Sequence, residues 1–234
     1  MQPAPPSDRY QSLASNGQSG ASIDAWEAAY LRFETPEEEI QKFATRLVKL
    51  GASKWPGDAE IVELFCGRGN GLRALQDLGF TKLEGVDLSP RLISEYRGPA
   101  HCLVADCRKL PFASESKDVL IVQGGLHHLP TLPEDLDQTF AEMQRVLRKS
   151  GRAMFVEPWL TLFLKFVHAV CENTLVRRAS PKLDALATMI ENERKTYEAW
   201  LNQPAAISQL ARKYFSPVHE SFAWGKWSFV GTPR

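Results

Sequence analysis

The sequence of 234 residues contains few cysteines, and their spacing is not that of a metal site. The four thiols belong to Cys66, Cys102, Cys107 and Cys171, with no Cys-x-x-Cys pair among them. Structural zinc sites are usually built from such pairs, and His101 combined with nearby thiols or a later histidine pair gives no zinc spacing either. We therefore predict buried or idle thiols of a cytosolic protein and no metal site.

The sequence also lacks an excess charge, a long apolar run and a signal peptide. Lys plus Arg total 28 and Asp plus Glu total 28, so no overall field directs the protein toward nucleic acid or an anionic membrane. No stretch reaches the roughly 18 apolar residues of a membrane span. The first nine residues have neither the basic start nor the apolar core of a signal peptide. These absences predict a cytoplasmic protein without an integral membrane span and without a nucleic-acid partner.

The length accommodates one α/β domain with additional elements. Residues 1–22 are rich in Pro, Ser, Gln and Gly and are predicted to form a flexible N-terminal arm. Residues 23–57 carry apolar side chains at helical spacing, with a strong helix start at Thr35-Pro36, and predict helices that either pack on the domain or cover its site as a lid. The main domain is predicted over residues 58–234, with a helical insertion at about 159–203.

The most informative stretch is the segment from Glu60 to Ala74. A short apolar run, Ile61–Phe65, contains one acid, Glu63, and a helical pattern begins at Leu72. A strand, a tight glycine turn and a helix form the unit that opens a doubly wound nucleotide-binding sheet. Glycines let a ligand lie against the backbone, and the helix N-terminus attracts negative charge. The glycines between strand and helix occupy alternate positions, Gly67, Gly69 and Gly71.

The spacing of these glycines separates two classes of nucleotide-binding protein. A dinucleotide fingerprint follows G-x-G-x-x-G, whereas this turn follows G-x-G-x-G and has Leu72 where the third glycine is needed. Glu63, four residues before Gly67, suits a cationic ligand group better than a pyrophosphate. The acidic G-x-G-x-G pattern resembles the first motif of the class I S-adenosylmethionine-dependent methyltransferases. At this point a nicotinamide-dependent dehydrogenase remains an alternative.

Later segments resemble the same family in the expected order. The second strand ends in Asp87, an acid placed to accept hydrogen bonds from two ribose hydroxyls, and Leu88 follows. The segment Ala105–Phe112 resembles the adenine motif, and dehydrogenases have no reason to place Asp before Leu-Pro-Phe here. The segment Gln123–His128 resembles the Leu-His-His loop of small-molecule methyltransferases. Residues Leu147–Pro158 resemble the fifth strand of the family, with a turn predicted at residues 149–151.

The order of strand and helix patterns predicts the fold class. We expect an α/β fold with a doubly wound, seven-stranded, mostly parallel sheet and a C-terminal antiparallel hairpin, which is the Rossmann-like methyltransferase fold. Two strand runs around Gly225-Lys226 predict the hairpin, which distinguishes this sheet from that of a dehydrogenase. Before it, we predict one helix over the apolar segment from Trp159 to about Arg178 and a second from Pro181 to about Leu201.

The resemblance implies S-adenosylmethionine as the cofactor and assigns residues to it. These assignments follow from matching positions in the family motifs. The implied set is Glu63 with Gly67, Gly69 and Gly71 for the methionine end, Phe65 beside them in the chain, Asp87 for the ribose, Leu88 for the adenine face, Asp106 and Cys107 for the adenine edge, and Gln123, through its backbone carbonyl, for the methionine amine.

Two histidines are the candidates for acid–base chemistry. His127 and His128 stand on the loop that faces the transferred methyl group in resembling enzymes, and imidazole titrates near neutral pH. Either one has a catalytic or substrate-contacting role, or the pair is structural. Glu157 is a second possible base. A base is needed only where the acceptor atom must lose a proton, because the cofactor is already activated.

The expected acceptor is a small molecule methylated at oxygen, carbon or nitrogen. No Asn-Pro-Pro-Tyr motif follows the fourth strand, which argues against amino methylation of adenine or glutamine. No Pro-Cys nucleophile stands on that loop, which argues against cytosine-carbon methylation. A methyltransferase fold retained as a cofactor sensor or partner-binding scaffold is a further alternative, because fold alone does not imply function.

Overall fold

The computed structural model describes residues 20–234 of the chain. A seven-stranded sheet with the strand order β3-β2-β1-β4-β5-β7-β6 forms its centre. The helices are α1 (Gly20–Phe33), α2 (Pro36–Lys49), α3 (Asn70–Asp77), α4 (Pro90–Glu95), α5 (Glu134–Val146), α6 (Leu162–Glu172), α7 (Thr174–Ala179), α8 (Pro181–Leu201) and α9 (Pro204–Tyr214). The strands are β1 (Ile61–Leu64), β2 (Leu83–Asp87), β3 (His101–Val104), β4 (Lys117–Gln123), β5 (Leu147–Pro158), β6 (Phe215–Ala223) and β7 (Lys226–Pro233).

The strand pairing confirms the predicted fold class. Strands β1 to β5 run parallel, and Ile61 of β1 lies between Leu83 of β2 and Val119 of β4. Strand β7 pairs antiparallel with β5 and with β6, so the two last strands form the predicted C-terminal hairpin. The carboxyl ends of β1, β2 and β4 therefore meet at one edge of the sheet, where a doubly wound fold binds its ligand.

Alternate residues of the central strands pack into two cores, one on each face of the sheet. On β1, Val62 and Leu64 belong to one core and Ile61 belongs to the other, because successive side chains of a strand point to opposite faces. Phe140 and Phe155 stack in the first core at 5.4 Å between ring centroids. Burial on both faces explains why β1 and β4 are nearly continuous apolar runs in the sequence.

The two N-terminal helices lie against different parts of the domain. Helix α2 begins with a capping box, in which the Thr35 hydroxyl accepts from the Glu38 N–H and the Glu38 carboxylate accepts from the Thr35 N–H. It packs against α3, whereas α1 packs along α8. The predicted arm over residues 1–22 lies outside the described residues as far as residue 19, and residues 20–22 already belong to α1.

The structure corrects two local predictions. The single helix predicted up to Arg178 is divided into α6 and α7, because the Asn173 side chain accepts from the N–H groups of Leu175 and Val176 and starts a new helix. The turn predicted at residues 149–151 is part of β5. Leu147 pairs with Lys117 and Arg152 pairs with Val119, so β5 has more residues than β4 between these two pairs. The extra residues of β5 form a bulge.

Helices α6, α7 and α8 occupy the segment where the sequence predicts an insertion, while the domain boundaries themselves stay predictions. None of the helices within residues 20–234 is both long and apolar enough to cross a membrane.

Candidate functional site

The turn between β1 and α3 takes its shape from left-handed backbone conformations. Phe65, Gly67 and Gly69 have φ angles of 56°, 52° and 79°. Gly69 donates its N–H to the Cys66 carbonyl at 2.8 Å, and a Cβ on Gly69 would lie 2.3 Å from the Tyr96 ring. Glycine is needed there, because an L side chain has neither the backbone conformation nor the space. Phe65 is strained for a non-glycine residue, a feature that clusters at ligand sites.

Glu63 is a buried acid that lies directly against this turn. Its side chain is 3% exposed, its Oε1 accepts from Gln123 Nε2 at 3.3 Å, and its Oε2 has no hydrogen-bond partner. Burial raises the pKa of Glu63 to about 8. A Cβ on Gly71 would lie 1.8 Å from Glu63 Oε1, so glycine at 71 makes room for the carboxylate. A buried oxygen without a partner is costly, and an ammonium group of a ligand would satisfy it.

Gln123 connects the same carboxylate to the N-terminal helices. Its amide oxygen accepts from Arg46 of α2 at 3.3 Å, while its amide nitrogen donates to Glu63. Burial is the main cause that lowers the pKa of Arg46. Glu39, also on α2, is 5% exposed and accepts from the Asn70 side chain at 2.8 Å, at the start of α3. Helix α2 therefore contacts both sides of the site.

Asp87 lies at the end of β2 and supports the turn with one half of its carboxylate. Oδ2 accepts from the Gly67 N–H at 2.9 Å and Oδ1 accepts from the Ser89 N–H at 2.8 Å. Burial raises the pKa of Asp87 against the opposing effect of these backbone donors. Each oxygen keeps a further lone pair, so the carboxylate can still accept from the two hydroxyls of a ribose. Leu88, the residue predicted for the adenine face, is half-buried beside it.

The Asp106 carboxylate forms an ion pair with Arg108, a contact that the sequence does not predict. Arg108 donates from Nε and NH2 to both Asp106 oxygens, at 3.0 and 2.7 Å, and from NH1 to Asp135 at 2.6 Å. Burial alone would raise the pKa of Asp106, but the hydrogen bonds from Arg108 lower it. Cys107 is buried with its thiol 3.6 Å from the Thr139 hydroxyl, and burial raises its pKa to about 12. Their roles at an adenine edge stay predictions.

Glu157 organises the loop that follows β4. Its Oε1 accepts from the N–H groups of Gly125 and Leu126, both at 2.9 Å, and its Oε2 lies 2.7 Å from His127 Nδ1. Both side chains are buried. Burial alone would lower the pKa of His127, but the hydrogen bond and charge of Glu157 outweigh it and raise this pKa. Glu157 therefore holds His127 and the loop in place, and Nε2 is the His127 ring nitrogen that this contact leaves unused.

His128 points toward α8, where Glu193 lies. The nearest atoms, His128 Nδ1 and Glu193 Oε2, are 3.7 Å apart, and 38% of the His128 side chain is exposed. Trp26 of α1 donates to Glu193 at 3.0 Å. Ligand atoms of His127, His128 and Glu193 all lie within 4.8 Å of one another, a grouping that could hold a metal ion. The absence of a metal site stays a prediction, because it rested on sequence spacing alone.

The structure thus places the predicted site residues at one edge of the sheet and adds others to them. Gly67 of the turn is hydrogen-bonded to Asp87, and Gln123 is hydrogen-bonded to Glu63. On the neighbouring loop, the rings of His127 and His128 lie 4.0 Å apart between centroids and are tilted by 39°. The polar or aromatic side chains that sequence analysis did not place there are Trp26, Arg46, Arg108, Glu193 and Tyr197. No motif marks them, since each comes from a distant segment that tertiary packing brings close.

Comparison with known proteins finds a family model that matches the centre of the chain. Residues 62–155 match a family model described as a methyltransferase domain. The chain is also similar to the ubiquinone/menaquinone biosynthesis C-methyltransferase UbiE of Geotalea daltonii, at 30% identity over 95 residues. That match covers 37% of this chain and 39% of the relative. UbiE of Geotalea uraniireducens matches at 30% identity over 41% of this chain and 44% of the relative, so the chain spans about two fifths of these curated relatives.

Solved structures support the fold over a larger part of the chain. The PH0226 protein of Pyrococcus horikoshii superposes with a TM-score of 0.59 at 22% identity, over 80% of this chain and 88% of that protein. A TehB-like SAM-dependent methyltransferase of Corynebacterium glutamicum gives a TM-score of 0.51 at 16% identity, over 97% of this chain and 95% of that one. At these identities the likeness shows the fold alone.

Proposed function

We propose that this chain is a class I S-adenosylmethionine-dependent methyltransferase and that it transfers the cofactor's methyl group to a small molecule. The observation that carries this proposal is the buried Glu63 carboxylate, whose Oε2 has no partner and which fills the space beside Gly71. A cationic ammonium group at this position would satisfy the oxygen. A pyrophosphate has no cationic group to offer this acid, which disfavours a nicotinamide-dependent dehydrogenase.

The remaining donors and acceptors fit a nucleoside attached to that ammonium group. Asp87 has free lone pairs for ribose hydroxyls, and its contact with Gly67 links the ribose position to the turn. Leu88 offers an apolar surface for a base. Gln123, tied to Glu63 and Arg46, closes the methionine end of the proposed cofactor site. We propose that α2 and Arg46 act as part of a lid over this site.

For methyl transfer, the protein has to align the acceptor with the methyl group more than it has to activate either of them. When bound, S-adenosylmethionine supplies a methyl group already activated on a sulfonium centre. The chain's own residues then orient the acceptor, exclude water and, where needed, accept its proton. The loop with His127 and His128 is fixed by Glu157 and faces Glu193 across a short gap. We propose His128, the more exposed of the pair, as the group that contacts the acceptor or takes its proton, with His127 positioning it.

The acceptor class is inferred from the site and from the relatives. The names of the UbiE relatives describe carbon methylation in quinone biosynthesis, which favours a carbon acceptor among the carbon, oxygen and nitrogen acceptors that the sequence allows. The balanced charge gives no support for a large nucleic-acid substrate. Free thiols at all four cysteines fit a reducing compartment, and we propose a cytoplasmic location.

The experiment is a turnover assay with purified protein, S-adenosylmethionine and a panel of small phenols, quinols, hydroxy acids and amines. Formation of S-adenosylhomocysteine together with a methylated acceptor supports the proposal. Cofactor binding without turnover on any acceptor would favour a scaffold or sensor instead. An Asp87→Ala variant with unchanged thermal stability serves as the control for cofactor-dependent product formation.

A further inference from the structure

Helix α6 turns apolar side chains toward solvent. Leu162 is 85% exposed and Phe166, one turn later, is 66% exposed, with Phe163 beside them at 44%. Residues four apart lie on the same side of a helix, so these side chains form one outward face. A surface helix normally places its apolar side chains inward and polar ones outward. An exposed apolar face of this kind marks an interaction surface.

The tip of the C-terminal hairpin extends this face. Trp224 is 76% exposed and its ring meets Phe163 edge-on at 5.4 Å between centroids. The hairpin tip is fixed to the start of α6, since the Gly225 N–H donates to the Thr161 hydroxyl at 3.0 Å and the Gly225 carbonyl accepts from the Trp159 N–H at 2.9 Å. The exposed indole is therefore held beside α6 and does not belong to a free loop.

Basic side chains lie next to the apolar face. Residues 159–180 contain Lys165, Arg177 and Arg178 against one acid, Glu172, in a chain whose total charge is balanced. On α7, Leu175 is 71% exposed and lies three residues before Arg178, hence on the same side of the helix. Helix α7 contacts both α6 and α8, so the helices that carry the apolar and the basic side chains are neighbours.

A cavity of about 500 Å³ opens beside α7. Its lining contains three arginines and one acid: Arg32, Arg177, Arg178 and Asp184, with Thr174 and Pro181. Arg32 and Arg177 each contact Asp184, at 3.3 and 3.0 Å, and Arg177 also pairs with Glu191, so three arginines at this place face two carboxylates. Net positive charge at this place suits a phosphate group of a ligand.

We propose that the outward face of α6, with Trp224 and Leu175, docks on the surface of a membrane containing anionic lipids, and that the arginine-lined cavity receives lipid headgroups. An apolar helix face with aromatic side chains and flanking basic residues is the arrangement that lies in a membrane interface. The balanced total charge does not oppose docking, because attraction to anionic lipid acts over a Debye length of about 10 Å and depends on local charge. Docking requires neither cofactor nor acceptor, so it can be tested apart from methyl transfer.

The test is co-sedimentation of the full chain with vesicles of phosphatidylcholine alone or with one quarter phosphatidylglycerol. We expect binding to the anionic vesicles and weaker binding to the neutral ones. The triple variant Leu162→Ser, Phe166→Ser, Trp224→Ser should lose at least about tenfold in affinity, because it removes three side chains from the interface. Arg178→Gln should lose about fivefold on anionic vesicles only. Val48→Ser, an exposed apolar position on α2, should bind as the wild type does.

Two results would overturn the proposal. One is an absence of wild-type binding to anionic vesicles, and the other is equal binding by the triple variant and the wild type. Sedimentation velocity tests whether this face instead binds a second copy of the chain. If the wild type does not bind vesicles but forms a dimer, and the triple variant does not form that dimer, the face is an interface between two copies. Thermal melting checks that the triple variant is folded. If the triple variant is not folded, the single variant Trp224→Ser, at the hairpin tip, is used in its place.

Discussion

The carboxylate of Glu63 fills the space where a side chain on Gly71 would begin. The strand that carries Glu63 and the helix that carries Gly71 approach so closely that an added Cβ would lie 1.8 Å from Oε1. The acid and the glycine are eight residues apart in the sequence but form one unit in the structure. This unit explains why the acid and the last glycine of the motif occur together.

Gly71→Ala should therefore weaken cofactor binding through Glu63. Displacing the carboxylate should cost about 1–3 kcal/mol of stability by overpacking and reduce S-adenosylhomocysteine affinity at least about tenfold. Calorimetric titration and thermal melting measure the two effects. Gly79→Ala is the matched control: Gly79 has φ 92° and open space around its Cα, so alanine there adds backbone strain away from the site. Equal affinities in the two variants would contradict the role of Glu63.

Glu63 should make the ligand-free protein less stable as pH rises. Its pKa is about 8 in the folded chain and near 4.5 in the unfolded chain. The folded state thus holds the proton more tightly between these values, and stability falls by up to about 1.4 kcal/mol per pH unit from about pH 4.5 to pH 8. Glu63→Gln removes this dependence. Urea unfolding of both proteins from pH 5 to pH 9 measures the difference, and parallel pH curves would contradict the prediction.

Arg108 should stabilise the loop after β3 more than a surface arginine does. It binds Asp106 and Asp135, whose side chains are 18% and 10% exposed, so Arg108→Met leaves two largely buried carboxylates without their cation. We expect a loss of about 1–3 kcal/mol in urea unfolding. Arg148→Met, which removes more exposed contacts to Asp118, is expected to cost less than about 1 kcal/mol. A loss as small as that of the control would show that the Arg108 contacts contribute little.

His128 should affect the rate of methyl transfer and leave cofactor affinity unchanged. With an acceptor that gives turnover, His128→Asn is expected to lower kcat about a hundredfold if the imidazole takes the acceptor's proton. S-adenosylhomocysteine affinity should stay within about twofold, since His128 contacts α8 and not the glycine turn. His101→Asn, at an exposed position on β3, controls for loss of a histidine. An unchanged kcat would assign His128 a structural role.

The fold was predictable because its local patterns agree with its tertiary structure. The strands β1 and β4 are apolar runs buried on both faces, and the hairpin turn includes Gly225 at φ 75°. The two local errors arose where local pattern and structure differ. The apolar spacing of α6 continues past Asn173, whose capping side chain divides the helix, and the bulge in β5 absorbs the glycine that suggested a turn.

Of the candidate site, only the motif residues could be proposed from the sequence, and their roles toward a cofactor stay predictions. Glu63, the glycines, Asp87 and Gln123 lie on adjacent strand ends, and the parallel topology brings them together. Arg46 and Glu193 contribute from α2 and α8, far from the motifs in sequence. Their positions depend on how helices pack on the sheet, which residue spacing does not encode.

The most direct test of the account is calorimetric titration of the full chain with S-adenosylhomocysteine, S-adenosylmethionine and NAD. The wild type should bind both S-adenosyl ligands and not NAD. Asp87→Ala should lose at least about tenfold in affinity, since it removes charged hydrogen bonds to the ribose and the anchor of Gly67. Binding of NAD, or no binding of either S-adenosyl ligand by a folded wild type, would contradict the proposed cofactor site and leave only the fold.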